Sequence, residues 1–336
     1  MKKIKISGSG IYAPGKAINN SELKKLAGID FDAEKLEAKI GIKERHIAKL
    51  RNIDETSADF AEKASRNALA NAALDPMDVD LFIVGTDTPE YVSPATAILL
   101  QGRLQHGQKN SFVFDLGASC ASFVSAMEAA ASLMAGNVAI RHALVVGLYN
   151  MPAHIRPGDA FGWSIFADGA GALVLSRAKS HEASAWLGSR FEADGTQWNY
   201  VGVYAGGTRK PLTKELLDSG EYGLELLQRL PGDRNLKLWP KLIRDLCKDT
   251  KTGLEEVSSF ILTQINRSVI WEVMDELGRP RELAPTAMER YGYTGSACVP
   301  MAFHDAVMDG KIKRGDKVLF CASGAGLAVG SNIFIY

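Results

Sequence analysis

Residues 111–135 read SFVFDLGASCASFVSAMEAAASLMA. A short apolar run, Ser111-Phe112-Val113-Phe114-Asp115, breaks at Gly117 and continues as small and apolar residues with Glu128 as the only charge. The first part is predicted as a buried strand. The second is predicted as a helix that is apolar on nearly every face, and such a helix is buried on all sides. In a chain of 336 residues that places it between two sheets rather than on a surface. Outward from this stretch, Leu81-Phe82-Ile83-Val84-Gly85 and Ala143-Leu144-Val145-Val146-Gly147 are further strand-like runs, and alanine-rich helical stretches alternate with them. Alternation of this kind argues for an α/β fold with buried sheets.

The same words occur twice. Residues 79–84 read VDLFIV and 257–262 read VSSFIL, an offset of 257 − 79 = 178. Residues 117–120 read GASC and 295–298 read GSAC, an offset of 295 − 117 = 178. HALVVG at 142–147 and DKVLFC at 316–321 form a third pair, at 316 − 142 = 174. Either short match alone is within the reach of coincidence; two at one offset in one order indicate a duplicated αβ unit. The expected halves are residues 1–178 and 179–336. With a helix sandwiched centrally, the layers run helix, sheet, helix, sheet, helix.

Composition narrows the function classes. Hydrophobic residues at 46% and charged ones at 23% describe a folded chain and exclude a disordered or fibrous one. Lys plus Arg and Asp plus Glu both number 39, so the basic excess of a nucleic-acid or anionic-membrane binder is absent. No apolar run approaches the roughly 18–20 residues that span a bilayer, and the opening MKKIKISGSGIYAPG lacks the apolar region of a signal peptide. Cys120, Cys247, Cys298 and Cys321 have the spacing of neither a disulfide framework nor a metal knuckle, which points to a reduced, cytoplasmic setting. No histidine–carboxylate spacing resembles a zinc site, and no metal is expected. Gly-Ala-Gly at 169–171 and 324–326 does not match a phosphate loop, and both read as tight turns where backbones approach closely.

Cys120 stands where an apolar strand gives way to a helix. Backbone N–H groups and the positive end of the helix dipole at that point lower a thiol's pKa and favour the thiolate. A thiolate is what accepts an acyl group as a thioester. The same position also suits a buried structural cysteine, which is what most free cysteines are. Cys298, at the repeat-equivalent position, reads as a structural relic, and Cys247 and Cys321 read as core residues.

Five motifs in order resemble the ketoacyl-carrier-protein synthase III family of the thiolase superfamily, over essentially the whole chain. They are Gly41-Ile42-Lys43-Glu44-Arg45-His46, Phe114-Asp115-Leu116-Gly117-Ala118-Ser119-Cys120-Ala121, Phe166-Ala167-Asp168-Gly169-Ala170-Gly171-Ala172, Tyr291-Gly292-Tyr293-Thr294-Gly295-Ser296-Ala297-Cys298-Val299-Pro300, and Gly324-Ala325-Gly326 with Gly330-Ser331. The resemblance implies the duplicated five-layer αβαβα thiolase-like fold and Cys120 as acyl acceptor. It also implies an oxyanion hole formed by the backbone N–H groups of Cys120 and Ala325, and a homodimer. The substrates it implies are thioesters of coenzyme A or of an acyl-carrier protein, with no resident cofactor.

The family's histidine and asparagine are replaced. The word that opens with histidine in the family reads Thr263-Gln264-Ile265-Asn266, and the word carrying its asparagine reads Gly292-Tyr293-Thr294. In the family those two side chains hydrogen-bond the thioester carbonyl of the malonyl donor as carbon dioxide leaves, and losing such a donor costs about 10²–10³ in rate. Thiol loading needs neither, so acylation of Cys120 without decarboxylative condensation is the expected chemistry. The acyl chain then passes to another nucleophile.

Glu90, in Thr86-Asp87-Thr88-Pro89-Glu90-Tyr91-Val92-Ser93-Pro94, is the first candidate for the missing base; a solvated loop carboxylate is the other reading. His154 and Arg156, in the loop that lines the pantetheine entrance in relatives, are placed against substrate. Ser93, where relatives carry a bulkier residue, would open the acyl channel. Lys35 and Ala153 stand where relatives carry the tryptophan and arginine that clamp coenzyme A, which favours an acyl-carrier protein as donor. His46 and His304 read as structural or exposed, and the sequence assigns no role to His106, His142 or His181. Segment 195–240 is expected to form a lid over the acyl cavity. Two further readings compete: a condensing ketoacyl synthase in which Tyr293 and Asn266 substitute for the lost donors, and a degenerate scaffolding subunit.

Overall fold

Val, Ile, Leu and Phe crowd the runs that become strands, and these pair into two principal sheets in a computed structural model describing residues 4–179 and 182–336. His181 lies outside the described residues. The first sheet holds β1 (Ile4–Tyr12), β2 (Leu81–Gly85), β3 (Phe112–Leu116), β4 (His142–Tyr149) and β5 (Gly169–Arg177), in the order β1-β5-β4-β2-β3. The second holds β6 (Ala185–Ala193), β7 (Val257–Leu262), β8 (Lys317–Gly324) and β9 (Ala328–Ile335), in the order β6-β9-β8-β7. In the first, β2 runs parallel to β4, and β5 antiparallel to both β4 and β1. In the second, β7 runs parallel to β8, and β9 antiparallel to both β8 and β6. The order and directions of β1-β5-β4-β2 are thus repeated in β6-β9-β8-β7, with β3 added at one edge, parallel to β2.

Helices form the other three layers. α1 (Ser57–Asn71) and α2 (Thr96–Gln105) cover the outer face of the first sheet. α3 (Ser122–Gly136) packs on β2 and β4 from one side and on β8 and β9 from the other. α4 (Arg234–Asp249) covers the outer face of the second sheet, with α5 (Arg267–Leu277) packed against it. α6 (Cys298–Met308) shares the central layer with α3. Small side chains let α3 lie close to both sheets, and Phe123, Val124, Met127 and Met134 fill the spaces between. Among the described residues, no helix is long and apolar enough to cross a membrane.

The two Gly-Ala-Gly words differ. Gly324-Ala325-Gly326 ends β8 and enters the turn to β9, as expected. Gly169-Ala170-Gly171 is instead the start of strand β5. A Cβ on Gly171 would lie 2.8 Å from Pro300 Cβ, so it is the packing of α6 against the strand, not a turn, that requires glycine there.

Candidate active site

Between β3 and α3 the chain makes a single 3₁₀ turn, Ser119–Ala121, and Cys120 is its middle residue. Ser119 has φ 49°, a left-handed conformation that costs a non-glycine residue about 1–2 kcal/mol. Three hydrogen bonds hold it there. The Ser122 hydroxyl donates to Ser119 O at 2.5 Å, the Ala118 N–H donates to Ser122 Oγ at 2.8 Å, and the Ser119 hydroxyl donates to Asp87 Oδ2 at 2.8 Å. From the second sheet, the end of β8 lies directly against this turn. A Cβ on Gly324 would stand 2.3 Å from Ala118 O and 3.0 Å from the Cys120 nitrogen.

The result is a cavity of about 470 Å³ in whose wall the Cys120 sulfur sits. Tyr149, Met151, Phe166 and Val269 supply apolar wall; Asn266, Tyr293, Ala325, Arg234 and Asp87 supply polar atoms. Segment 198–235 closes one side. Its hairpin, Val201–Val203 paired with Leu224–Leu226, contributes Val201, Val203 and Leu224, and Trp198, Tyr204, Leu230 and Arg234 line the cavity beside it. That is the covering role expected of the segment.

Burial governs the thiol. Cys120 is 9% exposed, and desolvation, followed by the nearby Asp87 carboxylate, pushes its pKa from 9.0 up to about 12. Hydrogen bonds from Tyr293 and Ser119 and the positive charge of Arg234 pull the other way. The expectation of a helix-lowered thiol is therefore overturned: the rise corresponds to about 4 kcal/mol, whereas a helix terminus supplies at most about 2. The resting thiol holds its proton at neutral pH. Tyr293, 2% exposed, places its ring 5.7 Å from Phe166 and 6.3 Å from Tyr149, and its hydroxyl is close enough to the Cys120 sulfur to favour the thiolate. Burial raises both phenols well above their ordinary pKa, so they act as hydrogen-bond donors and not as bases.

The sequence-proposed residues divide sharply. Cys120, Tyr293, Asn266 and Ala325 meet in the cavity. Asn266 stands at the N-terminus of α5, and its Oδ1 is shielded from solvent without a partner. Thr263 does not reach the cavity: it is buried behind the wall, its Oγ1 accepting the Ser323 N–H at 3.1 Å. Glu90 is also elsewhere in its own chain. Its carboxylate accepts the Thr56 hydroxyl and the Ala58 N–H, each at 2.8 Å, and so caps the start of α1. Ser93 is exposed and lines no part of the cavity. His154 and Arg156 lie behind the covering segment. Arg156 donates to Gly220 O at 3.0 Å and Leu224 O at 3.2 Å, fastening the hairpin to the body, and burial lowers the pKa of His154. Among the described residues no imidazole lines the cavity; His46 and His304 bond to Pro14 O, Gly15 O and Ser9 Oγ.

Asp87, Ser119 and Arg234 were missed as site residues. One signal was available for Asp87: it stands two residues past the end of β2, a fully buried parallel strand, and α/β folds build their sites at the carboxyl ends of such strands. Arg234 carried no such signal, since it joins the site only through the fold of segment 198–235.

Comparison with known proteins gives a consistent picture. Residues 114–195 match the family model for 3-oxoacyl-[acyl-carrier-protein] synthase III, and residues 247–336 match that for the C-terminal part of the same family. The beta-ketoacyl-[acyl-carrier-protein] synthase III of Aquifex aeolicus is 33% identical, over 99% of each chain. The crystal structure of the Aquifex aeolicus 3-oxoacyl-[acyl-carrier-protein] synthase III superposes with a TM-score of 0.85 at 31% identity, covering 99% of this chain and 100% of that one. The priming beta-ketosynthase of the R1128 polyketide pathway superposes equally well, with a TM-score of 0.85 at 26% identity over 99% and 96% of the two chains.

Proposed function

The chain belongs to the 3-oxoacyl-[acyl-carrier-protein] synthase III family of acyl-transferring and condensing transferases, and from that premise we propose that it is an acyltransferase without the decarboxylative step. In this reading Cys120 takes an acyl group from a coenzyme A or acyl-carrier-protein thioester and hands it to a second nucleophile. The acyl thioester is a substrate, and no resident cofactor takes part. The observation that carries the reading is the fate of the two replaced positions. Thr263 is turned away from the cavity, its Oγ1 accepting the Ser323 N–H, and Tyr293 presents a phenol to the cavity beside Cys120. Neither position presents the imidazole or the amide that would hold the carbonyl of a malonyl donor. The amides of Cys120 and Ala325 are backbone groups and are untouched by those replacements, so the oxyanion of the loading step retains its donors.

Loading then proceeds by attack of the sulfur on the thioester carbonyl and departure of the donor thiol. A cavity of about 470 Å³ walled by Phe166, Met151 and Val269 suits a short to medium apolar chain. The edge strand β3, whose first residue Phe112 is 52% exposed, supports a dimer formed along that edge. A condensing synthase is the second reading, favoured by Asn266, whose amide lines the cavity.

Incubation with a panel of acyl-coenzyme A and acyl-carrier-protein thioesters, followed by intact-mass measurement, tests the first step. The expected result is an acyl adduct that vanishes in Cys120→Ala; no adduct from any donor favours a scaffold. Addition of malonyl-acyl-carrier protein to the loaded enzyme should release no carbon dioxide, and release would select the condensing reading.

A further inference from the structure

Asp87 is a carboxyl group without a cation. It stands two residues beyond β2 in the wall of the cavity that holds Cys120, and among the described residues no lysine, arginine or histidine pairs with it. Its Oδ2 accepts the Ser119 hydroxyl at 2.8 Å, and its Oδ1 is shielded from solvent and has no partner. The Ser119 hydroxyl oxygen is in turn 3.7 Å from the Cys120 sulfur. A shielded, unsatisfied carboxylate oxygen costs folding free energy and so calls for an explanation outside stability. So does the left-handed backbone of Ser119, since strain of that kind gathers at functional sites.

Resting on the acyltransfer reading above, we propose that Asp87 is the general base of the second half-reaction, with Ser119 as its proton relay to the sulfur, and that the acyl acceptor is a protic O–H or N–H compound. The acceptor's oxygen or nitrogen attacks the thioester carbonyl carbon of acyl-Cys120 and its proton passes to Asp87 Oδ1. The carbonyl electron pair moves onto the oxyanion at the amides of Cys120 and Ala325. Collapse re-forms the carbonyl and breaks the carbon–sulfur bond. The departing sulfur takes a proton from the Ser119 hydroxyl, which is replenished from Asp87. One proton has moved from acceptor to sulfur, and the acid, the serine and the thiol return to their starting states.

The groups around Asp87 suit it to this role. Cys120 and Tyr149 are the titratable groups facing Asp87, and its charge raises the pKa of both. The Cys120 sulfur carries no charge either as the resting thiol or as the thioester, so no thiolate opposes ionisation of Asp87 in the acyl-enzyme, when a base is needed. Burial also holds its carboxyl above the usual carboxylate range, which makes it the stronger base.

The test charges Cys120 to completion at pH 9 in wild type, Asp87→Asn and Ser119→Ala. After rapid exchange, loss of the adduct to 1-butanol, to water and to hydroxylamine is followed by intact mass. Hydroxylamine cleaves thioesters without base assistance. The expected result is that Asp87→Asn slows discharge to butanol and water by about 10²–10⁴-fold and abolishes the rise of rate with pH, while hydroxylamine release stays within threefold. Ser119→Ala should fall between the two. In wild type alone, discharge to butanol should show an ascending pH limb that hydroxylamine release, compared at equal concentration of the unprotonated amine, lacks, a measurement that survives any misfolding of the variants. Asp87→Asn discharging to butanol at the wild-type rate, or a flat wild-type profile, would overturn the proposal and leave acyltransfer standing. A wild-type Cys120 that no donor acylates defeats both.

Discussion

Replacing Tyr293 by Phe removes one hydroxyl from a buried ring and should make Cys120 measurably less reactive. The ring's neighbours, Phe166 at 5.7 Å and Tyr149 at 6.3 Å, pack against phenyl as readily as phenol, so the fold is expected to hold. What disappears is the donor that stabilises the thiolate. A hydrogen bond to a charged acceptor contributes about 1.5–3 kcal/mol, so the thiolate population at a given pH falls about 10- to 150-fold. A more basic thiolate is also a better nucleophile, with a Brønsted coefficient of about 0.4–0.5, which returns nearly half of that loss on a logarithmic scale. The net expectation is a 4- to 20-fold slower alkylation by iodoacetamide. The assay is the second-order rate of adduct formation on Cys120 between pH 7.5 and 10, read by intact mass. Both proteins should give lines of unit slope in log rate against pH, with the Tyr293→Phe line displaced downward. Coincident lines would refute stabilisation of the thiolate by the Tyr293 hydroxyl. A line displaced upward would mean that the phenol shields the sulfur instead of activating it.

Other outcomes follow from the same geometry. Arg234→Gln removes a positive charge that lowers the Cys120 pKa, so alkylation at pH 8 should slow by severalfold with no loss of melting temperature. Gly324→Ala forces a Cβ to within 2.3 Å of Ala118 O, which the strand can relieve only by moving away from the nucleophile turn. A loss of acylation together with a melting temperature lower by several degrees is expected, and an unchanged acylation rate would contradict the contact. Burial lifts the Asp168 carboxyl from 3.8 to about 7, although the Asn150 amide and the Ala48 N–H both donate to it. The native state then holds a proton that the unfolded chain has already released. Stability should fall as pH rises from about 4 to about 7 and level off above, by up to about 4 kcal/mol. Urea unfolding at pH 5 and pH 7.5 reads this directly, and equal midpoints would count against it.

The fold and the site were legible to different degrees, and for different physical reasons. The pairing of VDLFIV with VSSFIL and of GASC with GSAC foretold a second sheet that repeats the order and directions of the first. The uncharged run after Cys120 foretold the helix between them, because a face that cannot meet water must meet protein. The family resemblance pointed to Cys120, Tyr293, Asn266 and Ala325, and these four line one cavity. Three things escaped the sequence. The direction of the Cys120 pKa depends on how many atoms exclude water around the sulfur, and those atoms come from β4, α5, β8 and segment 198–235 at once. Which carboxylate of the loop at 86–94 faces the cavity depended on whether Glu90 found a helix to cap, and it did, on α1. Thr263 turned inward because the Ser323 N–H of a neighbouring strand needed an acceptor. Periodicity and motif describe what a residue is and which element carries it. Desolvation and hydrogen-bond partnership are set by residues distant in the chain, so only the assembled layers could decide that Asp87, and not Glu90, stands beside the nucleophile.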